Sequence, residues 1–216
     1  MMSRFFTSDQ HFGHSNILKY EAEKRVDVHG RPFKTIDQMN DYLVDCWNAD
    51  VAEVDEVYCL GDFSFKLNTM HEILPFLNGK KILIVGNHDP FFKRMVTGKV
   101  DEARAMALEA GFSEIHMQLG LELPGIGLVQ LAHFPYEPDD LTVLPDFELR
   151  YLEHQPKVGK EKFLLHGHVH SEWRERAYPR KPWMMNVGVD LWGMRPVSEK
   201  LVVEFLQYNM EGRAKP

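Results

Sequence analysis

Cysteine is scarce. The 216 residues hold two, Cys46 and Cys59, too few for a disulfide framework, so the fold must rest on its apolar core, with both thiols reduced and buried. Long apolar runs are also missing. Met1-Met2-Ser3-Arg4-Phe5-Phe6 lacks the apolar centre of a signal peptide, and no later run could span a membrane; a cytoplasmic protein without a membrane partner is the expectation. Positive charge is in deficit, with 25 Lys and Arg against 32 Asp and Glu, a net charge of −7 and a pI near 5.9. That balance argues against a broad electrostatic footprint for long nucleic acid but leaves a local basic groove open. No internal repeat or low-complexity tract occurs. A chain of this length buries roughly 70% of its unfolded surface as one domain, and residues 1–216 are read as a single domain.

Histidine, by contrast, is plentiful at 11 residues, and much of it falls in one recurring pattern. Ile82 to Val85 is a short, mostly β-branched run, as expected of a strand buried on both faces, and it ends in Gly86-Asn87-His88-Asp89. Four other runs stop the same way. Arg4 to Ser8 leads into Asp9-Gln10-His11, Val57 to Leu60 into Gly61-Asp62, Leu128 to Ala132 into His133, and Phe163 to His166 into Gly167-His168-Val169-His170. Any one of these stops could be a polar turn. Five of them supplying Asp, His and Asn at strand ends, where open α/β sheets carry their sites, point to coordination of divalent metals through oxygen and nitrogen.

Asp-x-His, Gly-Asp, Gly-Asn-His-Asp, a lone His and Gly-His-x-His, in that order over residues 9–170, resemble the calcineurin-like metallophosphoesterases. Asp9-Gln10-His11-Phe12-Gly13-His14 and Asn186-Val187-Gly188-Val189-Asp190 further resemble a poorly described bacterial and phage-type group within them. The resemblance implies an α/β fold, a four-layer αββα sandwich of two mixed β-sheets flanked by helices. It implies one metal held by Asp9, His11, Asp62 and His170 and a second held by Asp62, Asn87, His133 and His168, with Asp62 bridging. The two divalent ions would be manganese in the first instance, with iron, zinc, nickel or cobalt as alternatives. The reaction implied is hydrolysis of a small phosphomonoester or phosphodiester by in-line attack of a hydroxide bridging the metals.

His88 would stand free of the metals, beside Asn87, where it could protonate the leaving oxygen as a general acid. Asp89 either orients His88 or caps the loop. Protein Ser/Thr phosphatases continue Gly-Asp into Asp-Arg-Gly, whereas Gly61-Asp62 continues as Phe63-Ser64-Phe65-Lys66. The acid that orients their histidine and their phosphate-binding arginine are absent here, so a protein phosphatase is discounted in favour of a smaller or more exposed phosphoester. Two alternatives stand beside this reading: a metal-binding interaction scaffold without turnover, and a nuclease acting on short oligonucleotides.

The remaining segments supply supporting elements. Ser15 is expected to cap a short helix whose first turn, with His14, could contact a substrate phosphate. Residues 22–34 read as a charged loop. Thr35 to Gln38 is a capping box, with Ile36, Met39, Leu43, Cys46 and Trp47 at helical spacing. Pro75 interrupts the next helix. Asp101 to Ala110 is a helix stopped by Gly111, and Ile115 to Leu123 pairs with Ile126 to Ala132 as a hairpin delivering His133. Residues 137–160 read as a surface insertion or lid, with a solvated His154. The basic loop from Trp173 to Lys181 is either a solvated loop or a substrate rim in which Arg174 and Arg176 meet the phosphate. Met184 to Val189 and Leu201 to Gln207 are expected to be closing strands.

Overall fold

The computed structural model describes residues 2–143, 149 and 151–213, excluding the side chains of residues 143 and 210–213. Two five-stranded mixed sheets form its centre. In the first, β1 (Arg4–Thr7), β2 (Glu56–Cys59), β3 (Lys80–Ile84) and β4 (Glu114–His116) run parallel, and β10 (Val197–Ser198) closes the β1 edge antiparallel. The second has the order β5 (Gln118–Leu123), β6 (Gly127–Ala132), β7 (Phe163–His166), β9 (Trp183–Asn186) and β8 (Glu175–Arg176), with β6, β7 and β9 parallel.

Alternate residues of the central strands serve different cores, which is why their sequences are apolar without interruption. Phe6, Tyr58, Leu60, Ile82 and Ile84 face Val129, Leu131, Phe163, Leu165 and Met185 of the other sheet. Phe5, Val57, Cys59 and Leu83 turn the other way, towards Met39, Leu43, Cys46 and Trp47 of α2 (Ile36–Asp50) and Ala103 and Ala107 of α5 (Val100–Ala110). The arrangement is an αββα sandwich. Among the described residues, no helix is long and apolar enough to cross a membrane.

Most local signals act as expected. The Thr35 hydroxyl accepts from the Gln38 N–H at 3.2 Å, Gly111 ends α5 with a left-handed φ of 115°, and both cysteines are free and buried. At Pro75 the chain leaves α3 (Leu67–Ile73) for a single 3₁₀ turn, Leu74–Phe76, which tolerates the missing N–H.

Four expectations need correction. Leu201 to Gln207 lies within a helix, α6 (Glu199–Arg213), where Val202 and Leu206, four residues apart, enter the inter-sheet core. Ile115 to Leu123 is two strands in different sheets, because the chain crosses between them at Met117. Asn16, not Ser15, precedes α1 (Ile17–Tyr20), a four-residue helix with no side-chain cap. His154 is only partly exposed, its ring set edge-on to Phe92 at 5.0 Å. Of the insertion expected over 137–160, residues 144–148 and 150 lie outside the described residues.

Candidate metal centre

The five polar stops all lie at the carboxyl ends of β1, β2, β3, β6 and β7, and their backbone is unusual. Asp9, His11, Asp62, His168 and His170 have φ values of 59°, 52°, 54°, 72° and 45°. A non-glycine residue pays about 1–2 kcal/mol for this left-handed conformation, so a cluster of five persists only where the surroundings dictate it. Two glycines allow the loops to meet. A Cβ on Gly86 would collide with the backbone nitrogen and Oδ1 of Asp62, and one on Gly167 with Ser8 Oγ and Asp9 Oδ2. Asp89 then ties two loops together. Its buried carboxylate accepts from the N–H groups of Asp62 at 3.0 Å, Phe63 at 2.9 Å, Gly86 at 2.9 Å and Ser64 at 3.4 Å. It is therefore a loop cap; burial and the neighbouring Asp62 charge push it up to about 7.

Asp62 sits where the loops converge. Its Oδ1 accepts from the His88 N–H at 2.9 Å, while Oδ2 lies 3.5 Å from His133 Nε2, 3.7 Å from His11 Nε2 and 4.0 Å from His88 Nε2. Donor atoms of Asp9, His11 and His170 fall within 4.8 Å of one another, as do those of Asp9, Asp62 and His133, so either group could hold a metal ion. Asp9 belongs to both groups, and its carboxylate also accepts from the His168 N–H at 3.0 Å.

Donor chemistry at these groups fits a cation. His133 Nδ1 lies 2.8 Å from the Leu60 carbonyl, to which it can only donate, so in the neutral ring Nε2 carries a lone pair. That lone pair faces Asn87 Oδ1 at 3.0 Å and Asp62 Oδ2 at 3.5 Å, and three converging acceptors need a positive charge between them, either a proton on Nε2 or a metal ion in its place. Burial opposes protonation of His133, yet Asp62 outweighs it and holds the ring up to about 9. His170 behaves alike. Its Nδ1 is 2.9 Å from Asp190, and against burial that carboxylate and Asp9 raise it to about 9, leaving Nε2 for another partner. His11, 2% exposed, has no hydrogen-bond partner on either ring nitrogen among the described residues, and burial holds it well below its usual range. A buried imidazole with both nitrogens unmatched is costly, and metal ligation would remove that cost.

Asn87 and His168 join this cluster. Asn87 approaches His133, and the His168 ring lies 5.1 Å from that of His133. His88 stands at its open side, its side chain 38% exposed and its ring 4.4 Å from that of Phe65; burial lowers its pKa. His14 lies nearby, with its ring 5.6 Å from His11 and 4.4 Å from Phe65. Arg174 and Arg176 are occupied elsewhere. Arg174 sits 4.7 Å over Trp192 and donates to the Leu191 carbonyl at 3.1 Å, whereas Arg176 sits 4.6 Å over Trp173.

Two supporting residues escaped sequence reasoning. Arg25, in the loop of residues 22–34, is 1% exposed; it pairs with Asp190 and donates to the carbonyls of Gln10 at 2.8 Å and of Asp9. Asp190 thus joins Arg25 to His170. Its motif was visible in the sequence, but nothing there marked Arg25. Tyr151, from the segment between His133 and β7, meets Asn87.

Fold and site together define a two-sheet α/β protein with a buried His and Asp cluster able to hold metal. The chain belongs to the family of the Gene 66 protein of Mycobacterium phage L5, to which it is 30% identical over 96% of each sequence. It is also similar to the uncharacterized protein MJ1445 of Methanocaldococcus jannaschii, at 26% identity over 96% of this chain and 93% of that one. Among solved structures it resembles AQ665, a protein of unknown function from Aquifex aeolicus, with a TM-score of 0.64 and 26% identity over 95% of this chain and 100% of that one. No family model matches.

Proposed function

We propose that this chain is, over its whole length, a dinuclear metal-dependent phosphoesterase of the calcineurin-like kind, acting on a small phosphomonoester or phosphodiester. The observation that carries the proposal is the convergence of acceptor atoms from Asp62, Asn87 and His133 beside the unmatched nitrogens of His11. Asp9, His11, Asp62 and His170 would hold one divalent ion, and Asp62, Asn87, His133 and His168 the other, with manganese expected in both. When bound, such a pair supplies Lewis acidity, making water acidic enough to attack at neutral pH and neutralising phosphate oxygens.

The chain's own residues do the rest. Asp62 would serve both halves, since its Oδ2 lies 3.7 Å from His11 Nε2 and 3.5 Å from His133 Nε2. His88, tethered through its N–H to Asp62 and partly exposed, delivers a proton to the departing oxygen. His14 lies close enough to this face to contact the phosphate, and Arg174 and Arg176 would act only at the outer rim. All seven proposed ligands and His88 are present, which favours turnover over a scaffold.

The test is elemental analysis with activity of the manganese-loaded protein on aryl monoesters, aryl diesters and cyclic nucleotides. Two equivalents of metal and hydrolysis in one class are expected, both lost in Asp62→Ala. Absence of bound metal, or an Asp62→Ala protein with two equivalents and full activity, overturns the proposal.

A further inference from the structure

The two halves of the centre are supported differently. Around His170 the support is charged and deeply buried, through Asp190 and Arg25, with Asn186 donating to the His170 carbonyl at 2.8 Å. Around Asn87, His133 and His168 it is aromatic. Phe134 sets its ring 5.0 Å from His133 and 4.7 Å from His168, and Tyr151 stacks on Phe134 at 5.3 Å and 29°. Tyr151 also places its ring 6.0 Å from His168, and its phenol oxygen accepts from Asn87 Nδ2 at 3.4 Å. Phe92 lies edge-on behind it at 6.3 Å.

We infer that Tyr151 is a positioning residue for the Asn87 half of the centre, presenting the amide oxygen inwards; this rests on the dinuclear reading above. An amide can serve a cation only through its oxygen, and its two ends are nearly equal in shape, so the ligand is competent in one of two orientations. With Oδ1 turned towards His133, the NH₂ group points away and needs an acceptor. The Tyr151 hydroxyl is that acceptor. Partners of this outer kind typically change metal affinity by about 10 to 100-fold, and a neutral bond as long as 3.4 Å belongs at the lower end.

Tyr151→Phe removes the hydroxyl and keeps the stacked ring. The chelator-stripped protein is titrated with Mn²⁺ by calorimetry and by electron paramagnetic resonance, beside wild type, with thermal unfolding as the check on packing. Wild type should bind two equivalents. Tyr151→Phe should bind one unchanged and the other about tenfold more weakly, with its unfolding midpoint preserved. Unchanged affinity for both equivalents, or equal weakening of both, overturns the role of Tyr151. Fewer than two equivalents in wild type would instead remove the dinuclear reading on which it rests.

Discussion

Replacing Asp190 by Asn tests whether His170, at the candidate centre, is held by a buried charge pair. The Arg25 and Asp190 side chains are each 0% exposed, so the substitution leaves a guanidinium in the interior with, among the described residues, only the Asp9 and Gln10 carbonyls as full acceptors. Breaking a buried pair from one side costs about 3–5 kcal/mol. A second route gives a similar size. Burial opposes ionisation of Asp190, but Arg25 and His170 outweigh it and carry its pKa from 3.8 to about 2, equivalent to about 2–3 kcal/mol. Because the folded value is the lower one, that contribution is present above pH 4 or so and lost as pH falls through about 2.

Asparagine keeps one oxygen for Arg25 or His170, which places the expected loss near 3 kcal/mol and the fall in unfolding midpoint at roughly 6–12 °C for a chain of this size. Urea and thermal unfolding of the metal-stripped protein measure it. Arg25→Met and the double variant complete a cycle whose coupling should exceed about 1.5 kcal/mol. A loss under about 1 kcal/mol with coupling near zero would refute the reasoning, since the two groups would then not depend on each other.

Three further outcomes follow from the geometry. His88→Ala should keep its metal yet lose roughly 10² to 10⁴-fold on an alkyl or nucleoside ester and much less on a nitrophenyl ester; equal losses would assign His88 to positioning instead. Gly86→Ala, whose new methyl meets Asp62, should destabilise the fold by about 1–3 kcal/mol and reduce bound metal, as read by unfolding and elemental analysis. Leu206→Ala should cost about 2–5 kcal/mol in urea unfolding, whereas Leu201→Ala, at a 42% exposed position, should stay within about 0.5 kcal/mol.

The side chains gathered at the candidate centre were legible because regular structure fixes where they stand. A strand buried on both faces shows itself as an unbroken apolar run, and a short loop holds its first polar residues close to the strand end. Asp9, His11, Asp62, Asn87, His133, His168 and His170 could therefore be located without coordinates. Arg25 and Tyr151 belong to irregular segments without periodicity, and only tertiary folding brings them to Asp9 and Asn87. The misread Leu201 to Gln207 has a different cause. Val202 and Leu206 share a face in a strand and also in a helix, so apolar spacing alone could not separate the two; solvated Leu201 and Glu204 belong to the helix.

Asp89 decides a question the sequence left open. With its carboxylate engaged by the N–H groups of Asp62, Phe63, Ser64 and Gly86, it secures the loops that bring Asp62 and Asn87 together. His88 must then take its orientation from elsewhere. Its N–H is fixed by Asp62, its Nε2 lies 4.0 Å from the same carboxylate, and its ring packs on Phe65 at 4.4 Å. Phe65 follows Gly61-Asp62 in the stretch where protein phosphatases carry an orienting acid. An apolar ring restrains an imidazole without fixing a proton on either nitrogen. His88 is thus left able to exchange its proton with solvent through its exposed side, which the general-acid role proposed for it would require.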